Sequence, residues 1–145
     1  MHISALTEHQ DTIKSLNTKI VVISFGSPIG VRMWLEETGC PFDVLCDEKR
    51  EVYKSLGLKT SVSKVWNIEM VTYYAEQLAS NKQLHKKYEN VEDDPLQMGG
   101  DFILDKNGSL ALVHASTIST DRPAVEKIVT TLKFIVKGDK MQEFN

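Results

Sequence analysis

The chain has 145 residues, about the length of one ordinary domain, of which 41% are hydrophobic and 26% are charged. This balance is typical of a soluble globular protein and excludes a disordered or collagen-like chain. Seventeen Lys and Arg residues against twenty Asp and Glu residues give a net charge of −3. The broad basic face of a nucleic-acid-binding protein is therefore missing, and no nucleic-acid partner is expected.

The sequence also limits the cellular compartment. Its most apolar short run, residues 19–25, is far shorter than the roughly 18 to 20 residues that span a bilayer, so no membrane partner is expected. Residues 1–10 lack the basic start and the apolar stretch of a secretory signal. The two cysteines cannot form a dense disulfide framework, and a reducing compartment keeps them as thiols. These features predict a cytoplasmic protein.

The first half of the chain alternates between helical patterns and short apolar runs. Apolar residues recur at helical spacing from Ile3 to Leu16, which predicts an opening amphipathic helix that ends near Asn17. The run Ile20–Phe25 is typical of a strand buried on both faces. The next predicted elements are a helix over 29–38 stopped at Gly39, a strand over 42–46, and a helix over 48–56 stopped at Gly57.

A long helix and a hairpin are predicted next. Residues 62–80 carry an apolar helical face that Trp66, Tyr73 and Tyr74 widen. The apolar runs 102–104 and 110–113 flank Asn107-Gly108, which is one of the strongest hairpin signals in a sequence. The two runs are therefore expected to be antiparallel neighbours.

The final helix has the clearest pattern. Apolar residues between Val125 and Val136 follow the spacing of one helix face. Asp121 as a capping carboxylate and Pro123 in the first turn are expected to mark its start, and Gly138 its end. The domain organisation predicted is one domain over 1–138 and a flexible tail over 139–145.

Several segments together resemble the peroxiredoxin-like family, a branch of the alkyl hydroperoxide reductase/thiol-specific antioxidant (AhpC/TSA) superfamily. The resemblance covers about residues 3–132, and the segments that carry it are Ile20–Gly26, Pro41–Tyr53 with Leu56-Gly57, Asp94–Phe102, and His114 with Asp121-Arg122-Pro123. It implies an α/β fold, a thioredoxin-like three-layer sandwich with a mixed sheet and a C-terminal hairpin. It also implies an antioxidant or thiol oxidoreductase that uses a small oxidised substrate, a thiol reductant such as thioredoxin, and no cofactor.

The resemblance also predicts what this chain lacks. In the family, a central strand and a redox-cysteine motif come immediately before the helix that begins here at Ile3, so the family's redox cysteine corresponds to a position before Met1. We therefore expect an N-terminally truncated fold with negligible peroxidase activity. The unfilled place between Ile20–Phe25 and Phe102–Leu104 has three expected outcomes: direct pairing of these runs, a strand borrowed from a partner, or an unstable chain.

Cys46 and His114 are the candidate catalytic residues. Cys46 follows a predicted strand, at the edge where active groups gather in open α/β sheets, although a small buried core residue fits the same pattern and is favoured. His114 ends the second hairpin strand, where it either tunes a thiolate or has a structural role. Cys40 is interpreted as a turn residue. The separation of Cys40 and Cys46 along an extended segment, roughly 20 Å at about 3.3 Å per residue, excludes a disulfide between them.

Two glycine-rich turns and the long helix complete the candidates. Residues 26–30 lack the spacing of a phosphate loop and are interpreted as a plain βα turn. Gly99-Gly100 either lets the backbone approach the site closely or forms a simple turn before the strand. The histidines and cysteines show no metal-ligand spacing, so no metal site is predicted. An alternative function is a non-catalytic interaction or regulatory module, which would use the aromatic helix 62–80 or form a homo-oligomer.

Overall fold

A computed structural model describes residues 2–61, 68–80, 94, 96–118 and 120–142. Its helices are α1 (His2–Glu8), α2 (Gln10–Ser15), α3 (Pro28–Thr38), α4 (Glu51–Ser55), α5 (Ile68–Ala79) and α6 (Val125–Gln142). Its strands are β1 (Val21–Ser24), β2 (Asp43–Cys46), β3 (Gly100–Leu104) and β4 (Leu110–Ala115). The fold is thus of the α/β class. No helix in the described ranges is both long and apolar enough to span a bilayer.

The predicted β-α-β-α alternation is confirmed, and local sequence signals explain its boundaries. The side chain of Ser27 caps α3 by accepting a hydrogen bond from the Gly30 N–H, and Pro28 occupies the first helical turn. Gly39 ends the helix in the left-handed conformation. α4 is shorter than predicted, because Arg50 takes a left-handed φ of 56° and the helix begins only after it.

The opening helix is not continuous, which corrects the sequence prediction. It breaks at His9 between α1 and α2. The N–H of His9 bonds the Leu6 carbonyl in a tighter turn, and its imidazole Nδ1 lies 3.0 Å from the carbonyl oxygen of Ala5. The side chain therefore competes for a carbonyl of the preceding turn. A left-handed Asn17, with φ of 53°, terminates the second segment where the pattern predicted an end.

The strands form two separate two-stranded sheets. β1 and β2 are parallel, with Val21 opposite Asp43 and Ser24 opposite Cys46. β3 and β4 are antiparallel. Among the described strands β1 does not pair with β3, so the predicted single mixed sheet does not form and direct pairing of the two apolar runs is wrong.

The predicted burial of β1 on both faces is also wrong. Val21 is 41% exposed, and the other three residues of the strand are only half-buried. Parallel strands are normally covered on both faces by helices and lie between neighbouring strands. Among the described strands β1 has a neighbour along one edge only, and its apolar side chains are partly accessible.

The hairpin prediction is confirmed. Gly108 takes the predicted positive φ, 81°, and its N–H bonds the Asp105 carbonyl. The carboxylate of Asp105 accepts the N–H groups of Asn107 and Ser109 at 2.8 Å each. A register shift lies between Ile103 and Leu104, so the turn is a bulged loop rather than a simple two-residue one.

The core lies where α1 and α2 meet α6. Its buried members are Leu6, Ile13, Val125, Ile128, Val129 and Leu132, and Ile13 is the most deeply buried at 1% exposure. Ile20 and Phe42, which directly precede β1 and β2, and Ile103 of β3 pack against this cluster. One helical layer therefore supports both pairs of strands, which fixes the position of the site described below.

The ends of α6 differ from the prediction. The helix continues through Gly138 to Gln142, so Gly138 does not end it and the part of the predicted tail up to residue 142 is helical. An interior glycine costs a helix only about 1 kcal/mol, which its neighbours can offset. Asp121 does not cap the helix either, because its carboxylate binds Thr117 and His114 instead.

Candidate functional site

Three segments meet beside the first turn of α1. The imidazole Nε2 of His2 lies 2.7 Å from Oδ1 of Asp101 in β3. Both side chains are largely buried, with exposures of 16% and 18%. Oδ2 of the same carboxylate is buried and has no hydrogen-bond partner within the described part of the chain. A buried acceptor without a hydrogen-bond donor is costly, so the polar environment of this carboxylate oxygen needs an explanation.

Arg122 stands beside that carboxylate. Its Nε lies 4.0 Å from Oδ2 of Asp101, beyond hydrogen-bond distance but close enough for charge compensation. Its Nη1 donates to the hydroxyl of buried Ser116 and to the Asp121 carbonyl. The guanidinium is therefore fixed by groups that follow β4, and these two contacts use the Nη1 donors of its fork.

Asp121 organises the loop that carries Arg122. Its carboxylate accepts the N–H of Thr117 at 2.7 Å, the hydroxyl of Thr117 at 2.8 Å, and lies 3.0 Å from Nε2 of His114. The hydrogen bond from the Thr117 N–H, more than any other contact, lowers the pKa of Asp121. His114 lies directly opposite Asp101 in the hairpin register. The histidine thus links the hairpin to the loop and positions the arginine indirectly.

A second group of residues lies after β1 and on α4. The guanidinium carbon of Arg50 is 5.0 Å from the centre of the Phe25 ring, and Arg50 Nη1 donates to Oδ2 of Asp94 at 2.7 Å. The ring of Tyr53 meets Phe25 edge to face, and its hydroxyl donates to the Ile23 carbonyl at 2.9 Å. This group is held by specific polar and aromatic contacts rather than by a deep core.

Electrostatics connects the two groups. Burial is the main cause that raises the pKa of Tyr53, and the Asp47 carboxylate raises it further. The charges of Arg122 and Arg50 oppose this effect. Because Arg122 belongs to the segment after β4 and Tyr53 to α4, the two sides of the site lie within reach of each other's charge.

Comparison with known proteins identifies the family. A family model described as AhpC/TSA antioxidant enzyme matches residues 5–117. The chain belongs to the AhpC/TSA antioxidant enzyme family. Domains of this family are thioredoxin-like. The match confirms the family predicted from the sequence. A search of the curated proteins finds no match.

The AhpC/TSA match covers only part of the site. Asp101, Tyr53 and His114 lie inside the matched range, whereas Arg122 lies just beyond it. Among the described residues no group of three His, Cys, Asp or Glu side chains is arranged to hold a metal ion. The arrangement that remains is an acceptor beside fixed guanidinium donors, which suits a small polar molecule with both an acceptor and a donor.

Neither cysteine lies in this cluster. Cys46 ends β2 opposite Ser24 and is exposed, so the favoured interpretation as a small buried core residue is wrong. Cys40, between α3 and β2, is half-buried, and both are free thiols. Cys46 and His114 lie on strands of different sheets, and within the described chain no hydrogen bond or ion pair joins them.

The glycine pair before β3 has two different environments. A Cβ on Gly100 would lie 2.6 Å from the His114 carbonyl oxygen, closer than real Cβ atoms approach. A Cβ on Gly99 would meet only the end of the Arg122 side chain, at 3.5 Å. The close backbone approach allowed by the pair therefore lies between β3 and β4, at Gly100.

The sequence reasoning missed His2, Asp101 and Arg122 as site residues. Asp101 offered a signal, because it shares the inward face of β3 with Ile103, two positions along. A carboxylate on an inward position is rare unless it has a partner or a function. The partners could not be read from the sequence, since His2 is separated from Asp101 by most of the chain.

Proposed function

We propose that this chain acts in the thiol-dependent reduction of small hydroperoxides and supplies the peroxide-binding groups of an AhpC/TSA-type site. Family membership supports an antioxidant, thiol peroxidase-like function. The single observation that carries the finer proposal is the buried Oδ2 of Asp101, which has no hydrogen-bond partner among the described residues and lies 4.0 Å from Nε of Arg122.

A hydroperoxide fits these two groups chemically. Its O–H can donate to Oδ2 of Asp101, and its oxygens can accept N–H groups of Arg122. In the reaction, a thiolate attacks the terminal oxygen and the O–O bond breaks. The products are a sulfenic acid and an alkoxide, which takes up a proton to become an alcohol. The guanidinium favours this step because it stabilises negative charge as it develops on the leaving oxygen.

The attacking thiolate is the part that these residues do not supply. A reactive cysteine needs a nearby cation, metal or helix N-terminus that lowers its thiol pKa. Cys46 is exposed at the end of β2, Cys40 is half-buried between α3 and β2, and neither lies at the N-terminus of a helix. We therefore propose that this chain alone has negligible peroxidase activity, with Cys46 and His114 kept only as the candidates for any residual turnover.

The remaining features of the proposal follow from the family and the sequence. The chain is proposed to form one thioredoxin-like domain that includes the whole of α6, through Gln142. The substrate class is small oxidised molecules, the electron donor is a thiol reductant, and the compartment is the cytoplasm, where thiols stay reduced.

Binding and turnover can be tested separately. Binding of tert-butyl hydroperoxide would be followed by amide chemical shifts of the oxidant-resistant Cys40→Ser/Cys46→Ser chain. Shifts at Asp101 and Ser116 that disappear in Arg122→Gln, but persist in the control Arg32→Gln on exposed α3, are the expected result. Absence of any shift at these residues would remove the basis of the proposal.

Turnover would be measured as peroxide consumption coupled to thioredoxin and its reductase. The wild-type chain is expected to consume peroxide no faster than an equal concentration of a free thiol. Rapid turnover that Cys46→Ser abolishes would show that the chain is a complete peroxidase and that Cys46 is its nucleophile.

An interaction module is the second candidate function, and α5 favours it. Ile68, Val71 and Leu78 are 87%, 58% and 60% exposed in the described chain, which is unusual for apolar residues on one helix. Trp66 lies outside the described residues, and Tyr73 is half-buried. If α5 forms a homo-oligomer contact, Ile68→Gln with Leu78→Gln should abolish self-association in sedimentation velocity, whereas the exposed control Glu76→Gln should not.

A further inference from the structure

A small cavity lies at the amino-terminal end of the β1–β2 sheet. It has a volume of about 220 Å³ and is formed by α2, by the turn between α2 and β1, and by the entry to β2. Because β1 and β2 are parallel, this end of the sheet lies opposite the end that carries Phe25 and Cys46. Neither Asp101 nor Arg122 lines the cavity, so it is separate from the peroxide site proposed above.

The turn between α2 and β1 forms one wall of the cavity, and backbone hydrogen bonds fix it. Asn17 takes a left-handed φ of 53°, which ends α2 and reverses the chain. The carbonyl of Ile13 accepts the N–H of Leu16 at 3.1 Å and the N–H of Thr18 at 3.4 Å. This wall is therefore already in place, and a ligand does not have to order it on binding.

The floor of the cavity is apolar. Ile13, at 1% exposure, belongs to the buried cluster, and the half-buried side chains of Ile20 and Phe42 pack against that cluster. The surface that Ile20 and Phe42 leave accessible is apolar, so covering it with an apolar group is favourable. Pockets for drug-sized ligands have volumes of roughly 300 to 1,000 Å³. The smaller volume here limits the ligand to a single ring or a short chain.

Two lysines and one aspartate carry the charges around this floor. Nζ of Lys19 lies 2.5 Å from Oδ2 of Asp43, so these two charges compensate each other. The ammonium group of Lys14, on α2, forms no hydrogen bond or ion pair with any residue that the structure describes. Lys19 also keeps donors beyond the one directed at Asp43. The cavity therefore attracts an anion more strongly than a cation.

We propose that this cavity binds a small monocarboxylate with an apolar body. Its carboxylate lies between the ammonium groups of Lys14 and Lys19, and its body covers Ile20 and Phe42. A carboxylate suits two ammonium groups because it has two acceptor oxygens and a full negative charge. A ring suits the floor because the flat face of Phe42 can stack with it. The proposal is independent of thiol chemistry and of the peroxide site.

NMR titration of the full chain with 3-phenylpropionate tests the proposal. The ring and two-carbon chain of this probe match the small volume of the cavity. We expect saturable shifts of the amide signals of Ile13, Ile20 and Phe42. The neutral 3-phenylpropanamide has the same shape without the charge, and it should bind about fivefold more weakly or worse. Added salt should reduce this difference, because it screens the exposed ammonium groups.

A matched pair of lysine variants tests the role of Lys14. Lys14→Gln removes the unpaired ammonium group and should weaken 3-phenylpropionate binding about two- to fivefold, the effect of one exposed ion pair. Lys133→Gln, at an exposed position of α6, makes the same change in net charge away from the cavity and should leave the affinity unchanged. The affinity of the neutral amide should be the same in both variants.

A pair of variants at Gln10 tests whether the body of the probe enters the cavity. Gln10 is half-buried on α2 and lines the cavity. In Gln10→Trp the indole should fill the space and abolish binding, while an unchanged urea midpoint shows that the chain still folds. Gln10→Ala leaves the cavity open and should bind the probe about as well as the wild type.

Four results would overturn the proposal. The first is the absence of shifts at Ile13, Ile20 and Phe42, and the second is equal affinity for the acid and the amide. The third is tighter binding of 3-phenylpropylamine than of the acid, because Asp43 would then be the charge that is recognised. The fourth is a set of shifts confined to Asp101 and Ser116, which would place the carboxylate at Arg122 and support only the peroxide site.

Discussion

The His2 imidazole and the Asp101 carboxylate join the first turn of α1 to the start of β3, with 2.7 Å between Nε2 and Oδ1. Both groups are largely buried, and the described residues offer the second carboxylate oxygen no hydrogen bond. The contact therefore holds together parts of the molecule that are separated by most of the chain.

Removal of this imidazole should destabilise the fold. His2→Ala leaves both oxygens of a buried carboxylate without a hydrogen bond, and it is expected to lower the free energy of unfolding by about 1 to 3 kcal/mol. Urea denaturation at pH 7 measures the change. Asp11→Ala, at an exposed position of α2, is the control and should have little effect. Equal midpoints for His2→Ala and the wild type would show that the contact contributes nothing.

The glycine pair before β3 provides a matched comparison. In Gly100→Ala the new Cβ would lie 2.6 Å from a backbone oxygen of β4, so the hairpin must shift. The expected loss of stability is about 1 to 3 kcal/mol. Gly99→Ala meets only a flexible side-chain end at 3.5 Å and should cost less. Thermal denaturation of the two variants side by side decides the order, and the reverse order would refute the close approach at Gly100.

Substitutions of the hairpin glycine, Gly108, and of the helix glycine, Gly138, should change the stability of the chain in opposite directions. Neither Gly108 nor Gly138 has an atom within 4 Å of an added Cβ, so only backbone conformation matters. Gly108→Val is strained by a φ of 81° and should cost on the order of 1 kcal/mol or more. Gly138→Ala, inside α6, should stabilise the chain by about 0.5 to 1 kcal/mol. A gain of stability in Gly108→Val would be inconsistent with this turn.

The lowered pKa of Asp121 implies that the stability of the chain depends on pH in the acid range. The Thr117 N–H, then the Thr117 hydroxyl and His114, hold the pKa of this carboxyl below its ordinary value. Its contribution to stability is therefore complete above the unfolded pKa, about 3.9, and is lost as the pH falls through the lower folded value. Asp121→Asn should lower the free energy of unfolding at neutral pH. The variant should also lose less stability than the wild type as the pH falls from about 4 to the lower folded pKa, because it has no carboxyl to protonate.

The measurement for Asp121 is the urea midpoint of the variant and the wild type between pH 6 and pH 3. Asp11→Asn, at an exposed position of α2, is the control and should follow the wild-type profile. Parallel profiles for Asp121→Asn and the wild type would mean that the loop contacts of Asp121 do not favour the charged form.

Local patterns predicted most of the secondary structure. The run that forms β1, the Asn-Gly hairpin and the apolar stripe of α6 depend on neighbours in sequence, and all three are confirmed. The break at His9 was missed, because it depends on one imidazole that competes for the Ala5 carbonyl. An apolar periodicity does not record that competition.

The other differences between the sequence predictions and the structure arise from contacts between residues that are distant in sequence. Asp121 before a helix is a normal capping pattern, yet Thr117 and His114 bind its carboxylate first. Asp101 gains its significance from His2 and Arg122, which only the folded chain brings close. The sequence suggested Cys46 and His114 because each ends a predicted strand, but the two strands belong to different sheets, and strand order cannot be read from local patterns.

The composition of the core has a consequence for the order of folding. Leu6 and Ile13 pack against Val125, Ile128, Val129 and Leu132, so the buried cluster joins the earliest and the latest parts of the chain. Contacts between residues so distant in sequence form slowly, because a long loop must close before they stabilise anything. During synthesis on the ribosome, Leu6 of α1 and Ile13 of α2 therefore cannot be buried against α6 until that helix has emerged. During that interval their leucine and isoleucine side chains stay exposed, and exposed apolar surface of this kind favours aggregation of incompletely folded chains.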